Sequence, residues 1–113
     1  MADFLLAYRN DYASVPQTKP EEAEAIMKKW MDWLGGIAAQ GKLTDKGHPL
    51  KSGGKVVRAN NKITDGPYTE IKESIMGYSI VTGASLEEAT ELANGCPILS
   101  FGGSVEIREI NAM

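Results

Sequence analysis

Two carboxylates, one imidazole and two guanidinium groups are the parts of this sequence that could move a proton or hold an anion. Asp65 opens Asp65-Gly66-Pro67, a strong turn signal. An aspartate in that position ordinarily accepts a backbone N–H two residues on. Held at the mouth of a cleft and partly buried, the same carboxylate would rise toward the pKa of a useful base. Glu70, Lys72 and Glu73 follow in one short segment, either a solvated run of charges or two carboxylates and an ammonium around a small polar ligand. Extended backbone puts Glu70 and Lys72 on one face and a helical turn pairs Glu70 with Glu73, so Glu70 is the better candidate either way. His48 is the only imidazole in the chain, and imidazole is the side chain that titrates near neutrality unaided. Between Gly47 and Pro49 it reads first as an exposed loop residue and second as a catalytic partner of Asp65.

Arg9 and Arg108 fall in the first and last strands, which the expected topology sets side by side. They either pair with Glu106 and Glu109 or bind an anionic substrate bidentately. Arg9, Tyr68, Lys72 and Arg108 are therefore the candidate ligand contacts, with Asp65, Glu70 and His48 as candidate catalytic groups. Tyr8, Tyr78, Trp30 and Trp33 read first as core or interface aromatics and second as the wall of a pocket. No second His or Cys is spaced to share a metal with His48, so no metal site is expected. Cys96 is the single cysteine. Ahead of Pro97 it reads as a small buried thiol, and it fits a reducing, cytoplasmic compartment.

The elements that must position these groups follow from periodicity. Asp3–Tyr8 is a short apolar run with aromatic ends, a strand greasy on both sides. Thr18 with Glu21 makes a capping box, with Pro20 in the first turn. Ala23, Ile26, Met27, Trp30, Trp33, Leu34, Ile37 and Ala38 then recur at helical spacing on one face. Gly35 and Gly36 inside that pattern suggest close approach of the sheet or a bend, and Gly41 ends the helix. Between Lys42 and Lys62 the pattern shortens to two modest strands joined by a loop, with Lys62–Thr64 extending the second or forming an edge ribbon.

Ile75–Thr82 alternates as a central strand, with Tyr78, Ile80 and Thr82 on one side and Ile75, Ser79 and Val81 on the other. Ser85 and Glu88 make a second capping box, for a helix whose stripe is Leu86, Ala89, Leu92 and Ala93. In the last strand, Ser104–Ile110, Val105 and Ile107 point one way and Glu106 and Arg108 the other. The order β-α-β-β-α-β implies a single α+β domain spanning residues 1–113: a four-stranded antiparallel sheet with both helices on one face.

With 113 residues, a net charge of −3 and a pI near 5.1, the chain is a poor partner for a polyanion, and nucleic acid is not expected. No apolar run approaches the ~20 residues of a membrane span, and the first strand leaves no room for a signal peptide. Two-sided apolar strands leave one face of the sheet to be covered, and a second copy is the simplest cover, giving a homodimer with an interior cleft.

Asp65-Gly66-Pro67-Tyr68, Thr69–Glu73 and Gly77-Tyr78 resemble the YCII-related family, in particular the branch named for an Asp-Gly-Pro-Phe motif, with Tyr68 in place of Phe. The likeness continues through Ser85–Ala89, Gly95-Cys96-Pro97 and Gly102–Arg108, and back to Trp30–Gly41 and Gly47–Val57. The resemblance implies a ferredoxin-like fold assembled as a dimeric α/β barrel. It implies little about chemistry: a His–Asp pair is proposed as an acid–base site in one branch, and one relative looks like a dehydrochlorinase of a chlorinated hydroxyquinol. The helix-borne His of that pair has no counterpart here, its place falling at or near Trp30. The reading that results is a cofactor-independent small-molecule lyase or isomerase with Asp65 as acid–base group, Glu70 supporting it and His48 as possible partner. Its rival is a non-catalytic ligand-binding or regulatory dimer, and a third reading has the cleft packed shut by aromatics.

Overall fold

A central pair of long antiparallel strands organises the molecule, seen in a computed structural model that describes residues 1–11, 19–65 and 74–111, without the side chains of residues 61, 62, 64 and 65. Strand β1 (Ala2–Asn10) is followed by helix α1 (Pro20–Ala39) and the short β2 (Leu43–Asp45). Next come β3 (Lys55–Arg58), a 3-10 turn and β4 (Lys62–Asp65). Strand β5 (Ser74–Gly83), helix α2 (Leu86–Ala93), a 3-10 turn at Pro97–Phe101 and β6 (Ser104–Glu109) complete the order. The main sheet runs β2-β5-β1-β6 with antiparallel neighbours throughout, while β3 and β4 pair only with each other as a separate ribbon. Setting that ribbon aside, the sheet has the order of a ferredoxin-like βαββαβ fold, as expected from the sequence.

Strand alternation decides which side chains meet the helices. Phe4, Leu6 and Tyr8 of β1 stand opposite Val81, Ser79 and Gly77 of β5. On the other flank Leu6 and Tyr8 face Ile107 and Val105 of β6. Phe4, Leu6, Tyr8 and Val81 join Ile37 of α1, Ala89 and Ala93 of α2, Cys96 and Ile98 in one core, so both helices cover the same side of the sheet. Tyr8, Trp30 and Trp33 make a three-ring cluster with centroids 4.9, 6.0 and 5.8 Å apart, all edge to face. Their first reading, as core aromatics, therefore holds. The Trp33 indole N–H donates to the Leu92 carbonyl at 3.0 Å, tying α1 to α2.

Several local expectations need correcting. Helix α1 is capped at Lys19 with no side-chain hydrogen bond, and Pro20 is its first residue; Thr18 lies outside the described residues. Met27 and Leu86, assigned to core stripes, are 58% and 49% exposed. A Cβ added at Gly35 or Gly36 would meet nothing within 4 Å, so neither glycine serves a close approach. The end of α1 is as expected: Gly41 is left-handed, its N–H donates to the Ala38 carbonyl and the Lys42 N–H to that of Ile37, a Schellman closure. At α2, Ser85 Oγ accepts the Glu88 N–H, while the Glu88 carboxylate accepts the Ala84 N–H and pairs with Lys42 at 2.8 Å. Lys42, and next the Ala84 N–H, hold that carboxyl below the ordinary range of a glutamate.

Candidate functional site on the open face of the sheet

Among the described residues, no helix lies over the opposite row of side chains. Across the middle of the sheet Tyr78 of β5, Ala7 of β1 and Glu106 of β6 stand in register. Adjacent strands are about 4.8 Å apart, so Tyr78 and Glu106 are roughly 10 Å from each other with only a methyl group between them. The row is a trough with an alanine floor. Leu5 and Ile80, likewise opposite one another, continue it toward the far end of the strands.

One bank of the trough is ionic. Glu106 accepts from Arg9 Nε at 3.1 Å through one carboxylate oxygen and from Arg108 Nη1 at 3.4 Å through the other. The side chains of Arg9, Glu106 and Arg108 are 21%, 41% and 73% exposed, so the carboxylate orders two guanidinium groups at a solvent-accessible edge. Arg9 and Arg108 thus meet through Glu106, as one of the two sequence readings had it; Glu109 stands instead in the row opposite Phe4.

The other bank is His48. Its ring lies edge-on to Tyr78, with centroids 6.3 Å apart and planes at 65°. The side chain is exposed, as expected, yet the backbone carrying it is fixed along β5. Asp45 Oδ1 accepts the Gly47 N–H at 2.8 Å, the His48 carbonyl accepts the Tyr78 N–H at 3.3 Å, and the Leu50 N–H donates to the Met76 carbonyl at 2.8 Å. Gly47 has φ +71°, and a Cβ there would fall 1.6 Å from the Tyr78 carbonyl oxygen. Only glycine fits both the turn and the approach. The sequence reading has no such clamp and takes Tyr78 first as a core or interface aromatic and second as a pocket wall. The available signal was Gly77 inside a strand pattern, which marks close approach of another backbone; Pro49 bridges to it.

Of the remaining candidates only the backbone of Asp65 falls among the described residues. Asp65 is the last residue of β4, its backbone paired with Lys55 in the separate ribbon. Tyr68, Glu70, Lys72 and Glu73 lie outside the described residues. Among the described residues no group of His, Cys, Asp and Glu is placed to hold a metal ion. No helix among them is long and apolar enough to cross a membrane. Cys96 is buried in the core, and burial pushes its thiol up to about 11 against a backbone hydrogen bond with Ile98. A hollow of about 320 Å³ lies between the helices, lined by Asp32, Trp33, Gly36, Gln40, Glu91 and Leu92; of the aromatics considered as pocket walls it has Trp33, and it holds none of the candidate catalytic or ligand-contact residues.

No curated protein sequence matches the chain. Among solved structures it is similar to 5-chloro-2-hydroxyhydroquinone dehydrochlorinase from Burkholderia phenoliruptrix AC1100, determined in complex with 2,5-dihydroxybenzoquinone. The identity is 17%, over 96% of this chain and 93% of that one, with a TM-score of 0.42. The YCII-related domain matches residues 1–113, and with the whole chain accounted for by that one match, the protein belongs to the YCII-related family.

Proposed function

We propose that a second copy closes the open face, and that the trough becomes a cleft in which a small polar molecule undergoes cofactor-independent elimination or isomerisation. The observation carrying this reading is the pinned His48 in ring contact with Tyr78, which stands in register with Ala7 and with Glu106 of the Arg9–Glu106–Arg108 cluster. Two guanidinium groups suit an anionic or enolic oxygen. An imidazole suits proton transfer near neutral pH. In this reading a base among His48, Asp65 and Glu70 takes a proton from carbon. The electron pair left behind forms a double bond as a group departs from the neighbouring carbon, or the proton is returned at another position. Tyr68 and Lys72 would line the same cleft. The buried free thiol Cys96 is consistent with work in a reducing cytoplasm.

The dimer is tested by sedimentation at micromolar concentration, where twice 12.2 kDa is expected and a lone particle of 12.2 kDa would remove the cleft's second wall. Turnover is tested by mass spectrometry on small carboxylates and phenols that shift the melting temperature. His48→Asn, Asp65→Asn and Glu70→Gln should each lower kcat, and full activity in all three would end the acid–base assignment. One observation favours the rival, a ligand-binding module: among the described residues no carboxylate hydrogen-bonds the His48 ring, as a base usually requires. A dimer that binds such acids and leaves them unchanged would decide for it.

A further inference from the structure

We infer that the buried hydroxyl pair Tyr8–Ser79 is a positioning device for His48, reaching from the core through the sheet to the loop that carries the imidazole. The inference rests on the reading of His48 as a functional group. It begins with the pairing of β2 and its continuation along β5. Leu43 stands opposite Val81 and Asp45 opposite Ile80, while further on Pro49 stands opposite Gly77. Six steps along the first segment are matched by four along β5, so the segment bulges twice. A bulge leaves backbone groups without ladder partners, and a carbonyl stranded over a core is costly unless a donor reaches it.

The Lys46 carbonyl is such a group, and Ser79 Oγ donates to it at 2.6 Å. A carbonyl oxygen only accepts, so the single hydroxyl proton of Ser79 is committed to it. Ser79 is 1% exposed, and its oxygen then needs a donor of its own. Tyr8, 5% exposed, supplies it: the phenol donates to Ser79 Oγ at 2.7 Å. The direction of both hydrogen bonds is therefore forced, from Tyr8 to Ser79 to Lys46.

The position of this chain distinguishes it from ordinary satisfaction of core polar groups. Both residues together could be apolar on the helix side of the sheet without an unmet partner, were it not for the Lys46 carbonyl. That carbonyl lies two residues before His48. Beyond it the Gly47 N–H, the His48 carbonyl and the Leu50 N–H are each bonded to Asp45 or β5. Ser79 adds the anchor on the core side, and its neighbour Tyr78 meets the imidazole on the open side. Two consecutive residues of one strand thus hold both the backbone and the ring of the His48 loop. Tyr8 and Ser79 are positioning residues; neither touches the trough.

The test reads the free protein by NMR, comparing Ser79→Ala, Ser79→Thr and Tyr8→Phe with the parent. In Ser79→Ala the Gly47 and Leu50 amides should exchange with solvent at least about tenfold faster relative to the Leu6 and Val81 amides of the central strands. The His48 ring resonances should shift toward those of a solvated imidazole. Ser79→Thr, which keeps the hydroxyl, should restore both. Tyr8→Phe should reproduce the change in part, and it stands as the decisive variant if Ser79→Ala does not fold. Exchange that rises by one common factor across loop and central strands, with His48 resonances unmoved, overturns the inference. Because neither readout involves a ligand, a mobile loop in these variants beside full turnover in His48→Asn would dismiss the catalytic reading and leave the positioning device standing.

Discussion

The two faces of strand β1 share a backbone and almost nothing else. Phe4, Leu6 and Tyr8 are 0%, 0% and 5% exposed against the helices, while on the other side Asp3 is exposed, Leu5 and Arg9 are half-buried and Ala7 alone is buried. Fold stability is concentrated on the covered face, and the groups able to meet a ligand stand on the open one. Truncation should expose the difference most strongly. Phe4→Ala is expected to cost about 3–5 kcal/mol in chemical denaturation. Leu5→Ala, one residue away, should cost under about 1 kcal/mol at concentrations where the chain is monomeric. The proposed twofold contact would give Leu5→Ala a second, concentration-dependent loss, seen as weaker association and not as a lower unfolding midpoint of the monomer. Equal costs at all dilutions would mean that the two faces are not energetically distinct.

Among the described residues, the covered face also holds the buried titratable groups. Burial raises the Tyr8 phenol far above its ordinary range, partly offset by the Ser79 hydrogen bond, and it raises the Cys96 thiol from 9.0 to about 11. For a group whose folded pKa is raised, the stabilising contribution is complete below the unfolded value and drains away as pH climbs to the folded one. Stability should therefore be flat up to pH 9 as far as Cys96 is concerned. It should then fall by about 1.4 kcal/mol per pH unit until about pH 11, some 2–3 kcal/mol in all. Tyr8 adds to the slope above pH 10. Denaturation curves of Cys96→Ala should lose the first part of that limb and keep the second.

How much of this was legible in the sequence depends on the range of the physics involved. Alternation was readable in β6 and in most of β5 because burial follows the pleat: Tyr78, Ile80 and Thr82 do share the open side, and Glu106 and Arg108 the ionic bank, but Ile75, expected beside Ser79 and Val81, is 43% exposed opposite Arg9, past a register shift. The stripe on α1 was read too wide. One sheet contact buries a sector of roughly 100° on a helix, and Met27, 58% exposed, falls outside it together with the exposed Ala23 and Ala38. The clamp on His48 left a single signal, Gly77 inside a strand pattern; the hydrogen bonds that fix Asp45–Leu50 along Met76–Ser79 leave no periodic signature. Glycines mark the same limit. Gly36 sits in open space on α1 and Gly47 sits against the Tyr78 carbonyl, a difference that the letter alone does not carry. Gly47→Ala should cost at least about 2 kcal/mol in unfolding free energy, from the left-handed φ and the blocked approach together. Gly36→Ala should instead stabilise the covered layer by up to about 1 kcal/mol in the same measurement.

The smallest expected effect is the sharpest probe of the open face. Arg108 is 73% exposed and holds Glu106 at 3.4 Å, a pair that water and salt largely screen. Arg108→Ala should change the unfolding free energy of the monomer by no more than about 0.5 kcal/mol, and raising the salt concentration should alter that difference little. If the two guanidinium groups bind a ligand's anion, the same substitution should weaken that binding without touching the fold, so thermal shifts by small acids would shrink while the unliganded midpoint stays put. A folding cost above about 1 kcal/mol would require Arg108 to be desolvated in the unliganded particle. The open face would then already be packed, and its groups would belong with the core on the other side of β1 and not with a cleft.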